Sequence, residues 1–261
     1  MILQPREPGL LAIRQPDHAR LAGMIAEVWR GPQGWRPEPW EPVVAATNRH
    51  DDGWAEWESA PTVDGGGKPY DFLRLPVAER VTIYRKGIDM VAAEDLHAGV
   101  LVSMHLTGLM LGGFEPGSAR ALDSMAARDR ALLEPFLDEQ LRWQADVGAR
   151  LAHAPLLHAQ FRVVKLLDRL SLLVCMRPLP EVAATRLEYV PVSDEGLGNI
   201  DLAVRDGHVL LDPYPLATEP FVGSVAATPL EAETFADAEE LRASLRRADP
   251  IELQIPFAPT A

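Results

Sequence analysis

The chain of 261 residues contains a single cysteine, Cys175, and this scarcity excludes an intramolecular disulfide. Long apolar runs are also missing, since no stretch reaches the roughly 20 residues that a membrane-spanning helix needs. The first residues lack the basic and apolar segments of a signal peptide. Together these absences predict a soluble, cytoplasmic protein that does not insert into a membrane.

The chain also has fewer positively than negatively charged residues. The chain has 25 lysine and arginine residues against 38 aspartate and glutamate residues, which gives a formal net charge of −13. This balance argues against binding to nucleic acid or to an anionic membrane surface. It does not exclude an anionic small molecule, because a metal ion can make a locally positive pocket in an acidic protein. We therefore expect a small-molecule partner, and the sequence leaves the oligomeric state open.

Three common functional motifs are absent. The segment Gly65-Gly66-Gly67-Lys68-Pro69 lacks the serine or threonine of a phosphate-binding loop, and no strand precedes it. There is no Gly-x-Ser-x-Gly elbow and no Gly-x-Gly-x-x-Gly fingerprint. The glycine-rich segment is predicted to be a flexible turn, from which Lys68 could still reach an anionic ligand.

The spacing of apolar residues predicts a mainly α protein. Helices are expected over residues 16–29, 43–57, 78–93, 96–111 and 159–176, with one or two more between 119 and 154. Short strands are expected at 2–4 and 10–13, and again after residue 185, where Asp206-Gly207 marks a hairpin. We predict a helical core with an N-terminal hairpin over residues 1–180, followed by a small antiparallel β-sheet in residues 181–261.

Polar residues on apolar helical faces carry the functional signal. His18 opens the inward face of the first predicted helix, and His50 lies on the broad face of the second, with Asp51 at its flank. Asp168 lies among leucines, where a carboxylate is costly to bury unless a cation, hydrogen bonds or a metal ion compensate it. Imidazole and carboxylate ligands on different helices indicate a transition-metal site, for which Fe, Mn, Zn, Co and Ni are all suitable.

Two further points bear on this site. His105 lies deeper in its apolar helix than His97, and the eight residues between them span about 12 Å, so only one of them is expected at a shared ion. His105 is the candidate. The alternative to a metal is that Asp168 pairs with a nearby arginine. The arginines considered for that pairing are Arg142, Arg162 and Arg169.

Four segments resemble known families. They are Gln15-Pro16-Asp17-His18, His50-Asp51-Asp52-Gly53-Trp54, Leu101-Val102-Ser103-Met104-His105 and Leu167-Asp168-Arg169-Leu170-Ser171-Leu172. The residues of these segments are similar to those of a bacterial family described only as domain of unknown function 3891. Their order of His, His-Asp, His and Asp also resembles the HD superfamily of helical metal-dependent phosphohydrolases. The resemblance covers residues 10–176.

The resemblance implies an HD-like helical core with one or two divalent transition-metal ions. The ligands it implies are His18, His50, Asp51, His105 and Asp168. Hydrolysis of a phosphate ester or nucleotide-like molecule by a metal-activated water would follow, with Asp51 and His105 at the reaction centre and Lys68 neutralising charge. Two alternatives stay open. One is a pair of iron ions that activates oxygen, and the other is a helical protein that binds a metal or ligand without turnover.

Overall fold

A computed structural model describes residues 1–112, 121–151 and 154–260. Within these ranges the chain forms eight α-helices. They are α1 (Gln15–Val28), α2 (Glu41–Arg49), α3 (Trp54–Ser59), α4 (Val77–Glu94), α5 (Leu96–Leu111), α6 (Ala127–Gly148), α7 (Leu157–Cys175) and α8 (Ala238–Arg247). Among the described helices, none has the length and apolar character needed to cross a membrane.

Seven strands in the same described ranges form one sheet. They are β1 (Ile2–Pro5), β2 (Leu10–Ile13), β3 (Thr185–Pro191), β4 (Leu197–Arg205), β5 (His208–Asp212), β6 (Phe221–Leu230) and β7 (Ile251–Pro259). Their order is β1-β2-β6-β7-β5-β4-β3. All neighbours are antiparallel except β5 and β7, which run parallel, so the sheet is mixed.

The prediction of a mainly α, HD-like fold with a separate small antiparallel sheet is wrong. The N-terminal hairpin pairs with the C-terminal strands through β2 and β6, where Leu10 lies opposite Leu230. Consequently the architecture is α/β, with one large mixed sheet beside the helices. This pairing joins segments more than two hundred residues apart, and local periodicity carries no information about such partners. Residues 1–180 and 181–261 both contribute strands to the sheet, and the boundary between two units stays a prediction.

The helices and the sheet share one hydrophobic core. Helix α1 packs on β6, and α7 packs on β3. A side chain at Gly223 of β6 would place its Cβ 2.5 Å from Leu21 Cδ1, so glycine allows α1 to approach the strand. Leu21 and Ile25 of α1 belong to the same buried cluster as Phe257 of β7. The sheet thus supports α1 directly, and α1 carries the first of the candidate site residues.

Several local predictions are confirmed. The bounds of α5 are those expected, and α1, α4 and α7 differ from prediction by one or two residues. Asp206 and Gly207 have φ values of 51° and 74° and connect β4 to β5 as a tight hairpin turn. The helix predicted between 119 and 154 corresponds to α6, while residues 119–120 and 152–153 lie outside the described ranges.

The helix predicted over 43–57 is interrupted. Helix α2 ends at Arg49, a turn occupies His50 to Gly53, and α3 begins at Trp54. A Cβ at Gly53 would lie 2.2 Å from the carbonyl oxygen of Ile83, so this turn contacts the backbone of α4. The contact is a tertiary one, which helical spacing in the sequence does not reveal. His50 and Asp51 therefore lie in a turn between two helices instead of on a helical face.

Candidate metal centre

Four elements bring a cluster of histidines and aspartates together in the interior. His18 comes from α1, His50 and Asp51 from the α2–α3 turn, His105 from α5 and Asp168 from α7. All five are buried, with His18 fully enclosed and Asp51 the most accessible at 7% exposure. The predicted residues from the N-terminal half of the chain thus meet the predicted aspartate of α7.

The innermost group consists of two imidazoles and one carboxylate. His18 Nε2 lies 3.2 Å from Asp168 Oδ1, and His50 Nε2 lies 3.1 Å from the same oxygen. One ligand atom from each of the three residues falls within 4.8 Å of the others. Ligand bonds of about 2.0–2.2 Å around one zinc-like ion place neighbouring ligands about 3 to 3.5 Å apart. Both nitrogen–oxygen distances are in that range, so the three side chains could hold one ion.

Asp51 and His105 flank this group on different sides. Asp51 Oδ2 lies 3.7 Å from Nε2 of both His18 and His50. His105 Nε2 lies 3.8 Å from the other oxygen of Asp168, Oδ2. The ring centroids of His50 and His105 are 4.9 Å apart. Asp51 can therefore reach the ion that the inner three residues would bind, whereas His105 faces the far oxygen of Asp168.

A hydrogen bond determines the tautomer of His50. Its Nδ1 lies 2.8 Å from the carbonyl oxygen of Thr47, which can only accept, so Nδ1 donates. In a neutral ring, Nε2 then carries a lone pair that faces the carboxylate of Asp168. Two acceptors at this distance repel unless a proton or a metal ion lies between them. A backbone carbonyl that orients the second ring nitrogen is the arrangement usual for metal-bound histidine.

The pKa shifts of His50 and Asp168 indicate that positive charge stabilises the cluster. Burial lowers the pKa of His50, but Asp51 and Asp168 outweigh burial and raise that pKa to about 9. Burial opposes ionisation of Asp168, yet its hydrogen bonds with His18 and His50 hold its pKa well below the usual range. In the metal-free protein, a proton on His50 therefore compensates the buried carboxylate. A divalent cation would take over that role.

The other two titrating groups are shifted mainly by burial. Burial raises the pKa of Asp51, against the effect of His50 and His18. Burial lowers the pKa of His105 to about 4, so this imidazole is neutral near neutral pH. Nδ1 of His105 and Nδ1 of His18 are buried, and neither has a hydrogen-bond partner in the part of the chain that the structure describes. Among the three histidines, and within the described residues, the backbone orients the second ring nitrogen of His50 alone.

Other predicted residues lie away from the cluster. Lys68 is on an exposed loop whose backbone bonds to Asp64 and Phe235, and no contact between Lys68 and the cluster occurs among the described residues. Its role in catalysis stays a prediction. His97 hydrogen-bonds Gln160 through Nε2 at 2.7 Å, which agrees with a structural role. In the described part of the chain, the ion pairs of Asp168 are formed with histidines and not with an arginine.

Two nearby residues escaped the sequence analysis. Lys165 lies on α7 three residues before Asp168, and its charge acts on His105. Tyr84 of α4 has its pKa raised to about 12 by burial, and the charge of Asp51 adds to the shift while Arg80 opposes it. The three-residue spacing to Asp168 was a usable signal for Lys165. No comparable signal marked Tyr84, since α4 carries no predicted site residue.

Comparisons with known proteins agree with one of the two resemblances. A family model described as "Protein of unknown function (DUF3891)" matches residues 1–232. The match extends from the N-terminal hairpin through every element of the cluster to the end of β6. It gives no support to the HD-superfamily resemblance. No curated protein and no solved structure matches the chain.

Proposed function

The chain belongs to the DUF3891 family, whose description states no activity, and we propose from the cluster itself that it is a metal-dependent hydrolase of a small-molecule phosphate ester. One observation carries the proposal. His18 Nε2, His50 Nε2 and Asp168 Oδ1 converge in the interior, and the Thr47 carbonyl leaves the Nε2 lone pair of His50 aimed at a carboxylate. A divalent transition metal resolves that conflict.

The donor set favours a single ion. Two imidazoles and one carboxylate hold one ion and leave positions open for water, as in catalytic zinc sites with two histidines and an acidic ligand. Two ions about 3.5–4 Å apart would need a second full set of ligands. On the far side of Asp168, the described residues offer His105 Nε2 and Asp168 Oδ2. Two ligand atoms are too few to hold a second ion, which argues against a pair of iron ions.

The position of the Asp51 carboxylate favours hydrolysis as the reaction. A metal ion held by His18, His50 and Asp168 would lower the pKa of a bound water to near neutrality. Asp51 Oδ2 lies 3.7 Å from Nε2 of both histidines, so its carboxylate borders the place where these nitrogens would hold the ion and would be available there to accept a proton. We therefore assign Asp51 as the general base.

A second candidate function rests on the same three ligands. Two histidines and one carboxylate with open positions are also the ligand set of mononuclear non-haem iron oxygenases. In that case, the metal would be Fe(II), and Asp51 would neutralise charge at the centre. The identity of the bound metal and the oxygen dependence of turnover distinguish the two functions.

The test begins with elemental analysis of protein purified without chelator or metal-affinity resin. We expect about one equivalent of transition metal in the parent protein and none in Asp168→Ala or His18→Ala, because each variant keeps only two of the three converging ligands. His97→Ala is the matched control, since His97 bonds Gln160 outside the cluster, and it should retain its metal. Loaded protein is then assayed on a phosphoester panel with and without oxygen. Failure to bind metal after reconstitution would overturn the proposal.

A further inference from the structure

Two buried polar atoms near the start of α1 have no hydrogen-bond partner among the described residues. They are the carboxamide oxygen of Gln15, Oε1, and the ring nitrogen Nδ1 of His18. Gln15 is 3% exposed and His18 is fully enclosed, so bulk solvent does not reach either atom. An unpaired polar atom in the interior is costly, and each one calls for a physical explanation.

The two atoms are complementary and belong to neighbouring side chains. Gln15 and His18 are three residues apart on α1, a spacing that places their side chains next to each other on one face. Side chains of a helix also lean toward its N-terminus, so the ring of His18 lies over the turn that holds Gln15. The oxygen of Gln15 can only accept a hydrogen bond, whereas an imidazole nitrogen can donate one.

The backbone donors at the first turn of α1 are already used. The N–H of Gln15 donates to both carboxylate oxygens of Glu58, at 3.1 and 3.0 Å. Residue 16 is a proline without an N–H, and the next two N–H groups both donate to the carbonyl of Arg14. A hydrogen on His18 Nδ1 is therefore the donor that this turn of the helix can supply to the Gln15 oxygen.

Metal binding would place a hydrogen on that nitrogen. His18 Nε2 lies 3.2 Å from Asp168 Oδ1 and faces the place proposed for the ion. A nitrogen that binds a metal uses its lone pair, so the neutral ring carries its hydrogen on Nδ1. In His50 the carbonyl of Thr47 accepts the corresponding hydrogen bond, at 2.8 Å. In the described part of the chain, the backbone provides no such acceptor for His18.

We propose that Gln15 is the positioning residue of His18, and that its carboxamide oxygen accepts the Nδ1 hydrogen when Nε2 binds the ion. This role rests on the proposed function, because it requires an ion at His18 Nε2. The terminal torsion of a glutamine side chain has a broad minimum, so the carboxamide can turn toward the ring at little cost. Gln15 thereby fixes the tautomer and the ring orientation of one ligand, as the Thr47 carbonyl does for another.

The hydroxyl of Thr47 is the competing acceptor. Its Oγ1 is also buried, and the described residues supply it with no partner. A threonine hydroxyl inside a helix can rotate to donate to a carbonyl one turn earlier, so Thr47 has a local alternative. The Gln15 oxygen has no equivalent at the first turn of α1, and for this reason we assign the role to Gln15. Thr47→Val tests the competing assignment.

Zinc titration in competition with a chromophoric chelator tests the role. In Gln15→Met, which keeps the side-chain length but lacks the amide oxygen, we expect the dissociation constant for Zn²⁺ to rise about 10- to 100-fold, the usual effect of removing a partner behind a metal ligand. Gln15→Glu keeps an acceptor oxygen and should restore zinc affinity. Gln160→Met is the matched control, because this buried glutamine bonds His97 outside the cluster, and it should bind zinc like the parent.

NMR spectroscopy of the zinc-loaded protein separates positioning from packing. Ring hydrogens held in hydrogen bonds exchange slowly with solvent and resonate downfield, and we expect one from His18 and one from His50 in the parent. Gln15→Met should move the His18 resonance upfield and leave the His50 resonance in place, because the Thr47 carbonyl still accepts from His50. A merely structural role of Gln15 would lower the melting temperature without moving the His18 resonance.

Three results would overturn the role of Gln15. One is equal zinc affinity in the parent and Gln15→Met, and another is an unchanged His18 resonance in that variant. The third is weaker zinc binding in Thr47→Val with parent-like binding in Gln15→Met, which would give the role to Thr47. A parent protein that binds no zinc would remove the proposed metal centre together with this role. Zinc binding that depends on Gln15, without phosphoester turnover, would support the role and remove only the hydrolase assignment.

Discussion

Asp168→Asn is the sharpest perturbation of the metal-free protein. The carboxylate accepts from His18 at 3.2 Å and from His50 at 3.1 Å, and all three groups are buried. Removing one member of a buried charged pair costs about 3–5 kcal/mol. Asparagine has nearly the volume of aspartate, so no cavity adds to this cost. We expect the free energy of unfolding to fall by about 3–5 kcal/mol at pH 6.5.

The pH dependence of this loss identifies its cause. The folded pKa of His50 is about 9, against an ordinary value of 6.5. Its stabilisation is therefore complete below pH 6.5 and disappears as pH rises through 9. The shift corresponds to about 3 kcal/mol, at about 1.4 kcal/mol for each pH unit. At about pH 10 the parent has lost this contribution as well, so the difference between parent and Asp168→Asn should shrink, by less than about 3 kcal/mol because Asp51 still raises the pKa of His50 in the variant.

The assay is urea unfolding with chelator present, followed by tryptophan fluorescence at both pH values. Asp201→Asn is the control, because Asp201 forms an exposed pair with Arg186 and its loss should change the midpoint little at either pH. An equal cost of Asp168→Asn at both pH values would refute the reasoning, since it would show that the carboxylate contributes through packing and not through its charge.

Four further predictions follow from the same groups. The stability of the metal-free protein should be greatest near pH 6.5. Above that pH His50 loses the proton that stabilises the folded protein, and below it the unfolded chain protonates His105 while the folded protein, with a pKa of about 4 for this residue, keeps it neutral. A urea midpoint that changes in one direction over the whole pH range would contradict this. Metal binding at pH 7 should release about one proton, as the ion displaces the proton of His50, which calorimetry in buffers of different ionisation enthalpy measures. Asp51→Ala should lower kcat about 10²- to 10⁴-fold while His97→Ala retains full turnover, and a fully active Asp51→Ala would remove the general base. Burial raises the pKa of the Cys175 thiol, so a thiol reagent should modify it only in urea, and rapid modification of the native protein would show that α7 opens.

Local elements of the fold were readable from the sequence. The bounds of α5 and the Asp206-Gly207 turn depend on helical periodicity and on backbone preferences within a few residues. His18 and Asp168 were recognisable for a related reason. A polar group on an apolar helical face is costly to bury and therefore indicates a partner.

The partners themselves were decided by tertiary structure. The pairing of β2 with β6, the turn at residues 50–53 that contacts α4, and the convergence of His18, His50 and Asp168 each join segments distant in the chain. The energy of each such contact depends on both segments that meet, so the sequence of one segment does not reveal its partner. The sequence by itself determined which buried polar groups need a charge or hydrogen-bond partner. The packing of α1, α5 and α7 around the α2–α3 turn decided which groups provide that partner, because distance and burial set the strength of every such interaction.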